Sequence, residues 1–218
     1  MFINIHTHQS SSTDIEIVQW DVPAQLTPED VPENPGGSSC SVGLHPAAIH
    51  SVDWKMQLDW VYRALSQPQV KAIGECGLDR LVTTPLELQE EVFIQQLKWA
   101  METRKPLIIH CVRAYDELIA IQKVWRPKIP MLVHGFHKNS QLAEALFKRG
   151  FYLSLDHRIP TSFSPEFLES NIDQILLETD SQQVGIEWVY QEFSQRIGWT
   201  LDRVQEKMEE NYLLFTQL

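Results

Sequence analysis

Five short apolar runs in this chain lead into side chains of the types that can bind metals. FINIHTH ends on His6 and His8, KAIGECGLD carries Glu75, PLIIHC reaches His110, MLVHG reaches His134 and ILLETD ends on Asp180. Apolar runs this short are the size of strands, not of helices. Core packing does not call for a ligand-type side chain at a strand end. Six of them in the same local position therefore demand a fold that brings strand ends together.

The remaining rhythm says which fold. Strands are predicted over 1–5, 14–21, 40–44, 70–74, 107–109, 131–133, 151–155 and 175–178. Helical spacing of apolar residues marks 51–66, 85–102, 114–124 and 140–149, a short turn of helix at 165–170, and closing helices over 186–196 and 201–214. Pro85 suits a first helical turn, Ser140 reads as a helix cap and Gly150 as a stop. The stretch with Pro23, Pro28, Pro32, Pro35, Gly36 and Gly37 reads as an irregular loop. From the third strand on, strand and helix alternate, which predicts parallel strands with helices outside them. Eight strands fit one distorted (β/α)8 TIM barrel, an α/β fold whose sites lie at the C-terminal strand ends. One link departs from that rule. Only Gln9–Thr13 or so separates the first two strands, and a parallel crossover needs a dozen residues or more. The first βα unit is thus abbreviated, and the second strand is expected either antiparallel to the first or outside the barrel wall.

At 218 residues and 43% hydrophobic content the chain can bury a full core, and one domain over 1–218 is expected. Eighteen basic against twenty-nine acidic residues leave a formal charge of −11. That argues against grip on a nucleic-acid backbone by a broad basic surface, yet leaves room for such a substrate at a metal site, where the cation dominates the local field. Three cysteines, Cys40, Cys76 and Cys111, make no disulfide framework and suit a reducing compartment. No basic segment leads into an apolar stretch at the N-terminus, and no run approaches eighteen apolar residues. A cytoplasmic protein without a membrane span is expected, as a monomer or weak oligomer.

The spacing of the six residues carries chemistry. Residues i and i+2 of a strand face the same side, so His6 and His8 can hold one ion together. His110 and His134 can supply a second imidazole pair, and Glu75 and Asp180 add carboxylates that can bridge. Paired divalent ions can clamp both the attacking and the leaving oxygen of a displacement at phosphorus. Histidine with carboxylate suits Zn, Mn, Fe or Co, with Mg less at home on imidazole. Taken singly, each residue has a plainer reading: a strand-end histidine is commonly a hydrogen-bonded structural group, and Asp180 could cap the segment that follows. The set as a whole favours a metal centre. Cys76 and Cys111 should point away from it and pack. Asp79 reads as a partner that orients a ligand or as a turn residue, and the tryptophans, Trp188 among them, as packing; Trp20 could border the cleft.

These motifs resemble a known family. HTH at 6–8, GLHP at 43–46, IGECGLD at 73–79, IIHC at 108–111, HGF at 134–136, ETD at 178–180 and the terminal block Asn211–Phe215 are similar to those of TatD-type metal-dependent hydrolases of the amidohydrolase superfamily. The resemblance implies a distorted TIM barrel, one or two divalent metal ions (Zn, Mn or Mg) and hydrolysis of a phosphodiester substrate, often DNA from a 3′ end. It implies that His6, His8, Glu75 and Asp180 hold one ion, and Glu75, His110 and His134 the other. Glu75 and Asp180 would be catalytic, with Asp180 taking a proton from the attacking water. His45 would sit at the substrate phosphate, joined by Arg113, Lys138 or His157. The sequence departs from the family pattern where Ser181-Gln182-Gln183-Val184 follows ETD, and where Val112, not arginine, follows His-Cys. Two other functions fit the same scaffold: a metal-dependent amidohydrolase or ester hydrolase on a small substrate, and a binding protein that has no catalysis.

Overall fold

A computed structural model describes residues 1–10, 15–27, 30, 32, 38–50 and 52–216. Most of the proline- and glycine-rich loop and part of the serine-rich turn fall outside the described residues. Eight strands follow one another in the sheet in chain order. They are β1 (Ile3–Thr7), β2 (Ile15–Asp21), β3 (Cys40–Gly43), β4 (Val70–Asp79), β5 (Leu107–Val112), β6 (Met131–Val133), β7 (Phe151–Leu155) and β8 (Ile175–Leu177). The helices are α1 (Trp54–Ala64), α2 (Leu86–Thr103), α3 (Tyr115–Trp125), α4 (Ser140–Phe147), α5 (Pro165–Ser170), α6 (Ile186–Ile197) and α7 (Leu201–Thr216). From β3 to β8 a helix stands between successive strands, the expected (β/α)8 pattern.

The contacts divide the chain into two compact units, residues 1–18 with 130–218 and residues 19–129. In the first, β1 pairs with β2, β6 with β7 and β7 with β8, all parallel. The sequence expectation for β2 is corrected here: it runs parallel beside β1, with Ile3 opposite Ile15 and the Ile15 N–H donating to the Phe2 carbonyl at 3.2 Å. A dozen residues is the requirement of a crossover that carries a helix. Eight Cα steps separate Thr7 from Ile15. They reach roughly 26 Å when extended, against roughly 13 Å of strand to be retraced, so a helix-free return suffices.

Two side chains tie the outer helices of this unit to its strands. The Tyr190 hydroxyl on α6 accepts from the Ile3 N–H at 2.9 Å and donates to the Ile3 carbonyl at 3.1 Å. Asn211 on α7 donates to the carbonyls of Ile172 and Ile175, at 2.7 and 2.8 Å, where β8 begins. Asn139, not Ser140, caps α4, its side chain accepting from the Leu142 N–H at 3.0 Å.

In the second unit β3, β4 and β5 are parallel neighbours. β4 does not stop at its glycines, as the sequence suggested, but runs through to Asp79. The reason is close approach. A Cβ on Gly77 would lie 2.0 Å from the His110 carbonyl oxygen, and its φ of +148° is one that side-chain-bearing residues rarely adopt. The glycines thus let β4 continue against β5 and carry Glu75 and Asp79 past the point where an ordinary strand would be pushed off. Trp20 is buried against Trp60, with ring centroids 5.2 Å apart.

Candidate metal-binding clusters

Each unit gathers its own group of ligand-type side chains at the C-terminal ends of its strands. In the first, His6 on β1, His134 after β6 and Asp180 after β8 each offer a ligand atom, all within 4.8 Å of one another. His8 joins them: its Nε2 lies 3.6 Å from Asp180 Oδ1, and that of His6 lies 3.7 Å from the same oxygen. The backbone sets this convergence. The Asp180 N–H donates to the His6 carbonyl and the His8 N–H to the Asp180 carbonyl, both at 3.1 Å. Asp180 holds φ at +52°, an uncommon conformation for a residue with a side chain, which aims its carboxylate at the two histidines. Thr179 anchors the turn: its N–H donates to Asn4 Oδ1 at 3.0 Å, and its hydroxyl accepts from Asn4 Nδ2 at 2.8 Å.

Behind His134 stands Glu178, fully buried. One of its oxygens accepts from the Gly135 N–H and the other from the Ser154 hydroxyl, both at 2.6 Å, and His134 Nδ1 lies 3.6 Å away. Burial pushes the carboxyl pKa up, but His134, His6 and Ser154 more than offset this and hold it below the ordinary glutamate value. At 3.6 Å the approach of His134 to Glu178 is a charge contact rather than a hydrogen bond, and an anionic Glu178 favours the tautomer with the proton on Nδ1, which would leave Nε2 for an ion.

In the second unit His45, Glu75 and His110 form the group. His110 Nδ1 lies 2.7 Å from Glu75 Oε1 and its Nε2 lies 3.2 Å from Asp79 Oδ2. Asp79 closes a turn, its other oxygen accepting from the Leu81 N–H at 2.7 Å, and at the same time touches His110. His45 differs from the rest. Its Nδ1 accepts from the Ala47 N–H at 3.0 Å, capping a short 3-10 turn over Pro46–Ala48. A neutral imidazole has one acceptor nitrogen. With that role taken by Nδ1, the proton is assigned to Nε2, which points at Glu75 Oε1 from 3.3 Å. His45 is therefore built to donate a hydrogen bond rather than to ligate.

The comparisons with known proteins can now be set beside this geometry. Residues 25–216 match the family model described as TatD related DNase. The chain belongs to that family. Among curated TatD relatives, the 3'-5' ssDNA/RNA exonuclease TatD of Cronobacter turicensis is 34% identical over 154 residues, which is 66% of this chain and 57% of that protein. The chain thus matches less than two thirds of the length of such relatives. A TatD homolog from Escherichia coli k12, YJJV, superposes with a TM-score of 0.81 at 22% identity, over 100% of this chain and 98% of that one. A hydrolase TatD family protein from Entamoeba histolytica does so with a TM-score of 0.74 at 14% identity, over 98% and 97%. These likenesses show the fold, the (β/α)8 barrel of TatD proteins.

Several residues that hold these side chains in place were not singled out by sequence reasoning. Glu178 was visible as the one charged residue closing ILLE, yet Asp180 drew the attention two positions on. Gln19 accepts from the Glu75 N–H at 2.6 Å and from the Ser41 hydroxyl at 3.0 Å. Gln96 accepts from the Leu44 N–H at 2.7 Å, and Gln89 from the Asp79 N–H at 2.7 Å. Buried glutamines have no periodic signature, and only burial distinguishes them. Of the expected substrate contacts, Arg113 and Lys138 are exposed, with Arg113 at φ +54°, while His157 is half-buried against Trp188. Trp188 itself is 42% exposed, contrary to a purely packing role, because it rides on the outer face of α6. All three cysteines are free and buried; burial pushes the Cys40 thiol up to about 11 and the Cys76 thiol higher still, so neither of these two is a ready nucleophile. Among the described residues no helix is long and apolar enough to cross a membrane.

Proposed function

We propose that this chain is a divalent-metal-dependent phosphodiesterase that cleaves single-stranded nucleic acid from a 3′ end, and that each unit holds one cation. The observation that carries this reading is the pair of ligand groups, each with a carboxylate fixing one of its histidines: Glu178 behind His134, and Asp79 behind His110. Imidazole with carboxylate favours Zn or Mn. In the first unit His6, His8, His134 and Asp180 would hold the ion; in the second, Glu75 and His110. The exonuclease named among the relatives points to the same bond and the same polymer. Free, buried cysteines fit a reducing, cytoplasmic setting.

When bound, the cations acidify water and draw charge from phosphoryl oxygens. The chain's own side chains would do the rest. Asp180, aimed by its left-handed backbone and only partly buried, accepts the proton of the attacking water. His45 donates from Nε2 to a phosphate oxygen, a bond that grows stronger as charge develops there. Metal analysis of the purified chain, paired with digestion of single-stranded DNA with and without chelator, tests the reading. Up to two ions per chain are expected, with His134→Ala and His110→Ala each removing one. Asp180→Asn should lower turnover by about 10²–10⁴-fold while the fold stays intact. Bound metal with turnover only on small esters or amides would move the assignment to an amidohydrolase, and absence of metal to a binding protein.

A further inference from the structure

The loop that follows β7 carries a cluster that the metal chemistry does not use. Asp156 is 1% exposed and lies one residue past the end of β7, in line with Glu178 one residue past the end of β8, since Leu155 pairs with Leu177. It accepts three bonds from Arg158: from the backbone N–H at 2.7 Å, from Nε at 2.8 Å and from Nη2. His137 closes the other side. Its Nδ1 lies 3.3 Å from the Arg158 carbonyl and its Nε2 lies 3.1 Å from Arg158 Nη2. The tautomer that satisfies both contacts places the proton on Nδ1 and lets Nε2 accept from the guanidinium. Arg158 is thus clamped along one edge while half of its side chain, 49%, stays open to solvent.

A guanidinium offers five N–H donors in a fixed plane. Asp156 and His137 engage Nε and Nη2, and Nη1 is left for another partner on this half-exposed side chain. Asp156 stands level with Glu178, and His137, which touches Arg158, lies three residues beyond His134, so the cation sits at the same strand-end rim as the first metal group. The next residue back, His157, stacks on Trp188 at a centroid distance of 4.8 Å and an interplanar angle of 28°. His157 Nδ1 is buried without a hydrogen-bond partner, so packing against the indole, not polar bonding, sets that ring. The outer part of Trp188 remains exposed. Two consecutive loop residues thus present a clamped cation, Arg158, and the ring, His157, that braces the partly exposed Trp188 of α6. That pairing is what single-stranded nucleic acid presents in reverse, an anionic phosphate next to a stackable base.

We propose that Arg158 grips a backbone phosphate of the nucleic-acid substrate and that Trp188, braced by His157, receives an adjacent base, so that these residues form a nucleotide subsite beside the metal group. The subsite rests on the phosphodiesterase reading but is tested by binding, not turnover. Its role explains why so acidic a chain can hold a polyanion: one fixed arginine does locally what a basic surface does elsewhere.

The probe is a fluorescein-labelled single-stranded DNA with phosphorothioate linkages, which resists cleavage, titrated with the metal-loaded full chain at several KCl concentrations. For Arg158→Gln, weaker binding is expected, together with a salt slope shallower by about 0.7, the share of one phosphate contact on a single strand. Arg158→Lys should restore the slope while recovering only part of the affinity, because a point charge lacks the planar fork. Trp188→Ala should weaken binding roughly tenfold with no change of slope, and Trp188→Phe should recover most of it. A merely structural Arg158 would lower the melting temperature and leave the slope alone, which overturns the proposal. So does loss of bound metal in Arg158→Gln, since binding would then fail through the metal site. If the wild-type chain does not bind this DNA at all, the phosphodiesterase reading falls together with the subsite. Binding with unchanged slope and unchanged affinity in all variants sinks the subsite alone.

Discussion

The two ligand groups are held by different physics. In the first unit the carboxylates themselves are the framework. Glu178 and Asp156 are buried, charged and satisfied by a histidine, an arginine, a serine and backbone N–H groups. In the second unit neutral amides do the equivalent work: Gln19 holds Glu75, Gln89 holds Asp79 and Gln96 holds the residue before His45. A buried charge costs heavily unless paired, whereas a buried amide needs only its hydrogen bonds. The first group should therefore respond to pH and to loss of charge, the second to loss of shape and of hydrogen bonds.

The largest effect expected on shape is at Gly77. In Gly77→Ala the new methyl group meets a backbone carbonyl, not a flexible side chain, so β4 must move away from β5. Together with the cost of its φ, a loss on the order of 4 kcal/mol or more is expected. Thermal melting would check it, read as a fall in midpoint and in soluble yield. A melting curve like that of the wild type would show that β4 can shift freely, and would remove the contrast between a shape-dependent and a charge-dependent group.

Next in size is Glu178→Gln, which probes the first unit through its histidine. The amide oxygen can still accept from the Gly135 N–H, and its NH2 can donate to the Ser154 hydroxyl in place of accepting from it, but the neutral group no longer draws the Nδ1 proton of His134 as an anion does. A fall in metal affinity of roughly 10–100-fold is expected, the usual effect of removing a carboxylate that orients a ligating histidine. Calorimetric titration with Zn or Mn measures it. An unchanged affinity would mean that backbone placement alone orients His134, and the two groups would then differ less than their partners imply.

How much of this was legible in the sequence divides along the same line. The ligands themselves were, because each closes an apolar run and run length reports a strand. His6, His134 and Asp180 converge as strand ends should, and Glu75 meets His110 across the pair β4 and β5. The partners were not. A glutamine on a helix face looks like a solvated residue until burial is known, and Gln89 and Gln96 are almost wholly buried. The parallel β2 was missed because the rule for crossovers assumes a helix, and here the chain is long enough to return without one. The end of β4 was misplaced because glycine usually weakens a strand, while Gly74 and Gly77 are what allow this one to approach its neighbour.

The smallest effect sharpens the comparison most, because it separates charge from hydrogen bonding along one axis. Asp156 carries a pKa below its ordinary 3.8: burial raises it, but the His137 ring 3.4 Å away and the bonds from Arg158 lower it by more. Glu178 lies below its ordinary 4.5 for the analogous reason. A carboxyl with a depressed folded pKa binds fewer protons in the folded state than in the unfolded one. Its stabilising contribution is therefore complete above those ordinary values and is lost as pH falls below them towards the folded-state pKa. The wild-type melting temperature should drop through this acid window. Asp156→Asn should start lower at neutral pH, by about 1–3 kcal/mol for the charge-assisted bonds removed, and then fall less steeply below about pH 4, since the group that titrates is gone. Gln19→Leu, in the second unit, leaves the Glu75 N–H and the Ser41 hydroxyl without their acceptor and should cost a comparable amount. Its penalty, however, should be the same at every pH, because no proton is exchanged. Parallel acid limbs for wild type and Asp156→Asn would show that the Asp156–Arg158 pair contributes no net charge stabilisation, and the electrostatic character given to the first unit would have to rest on Glu178 alone.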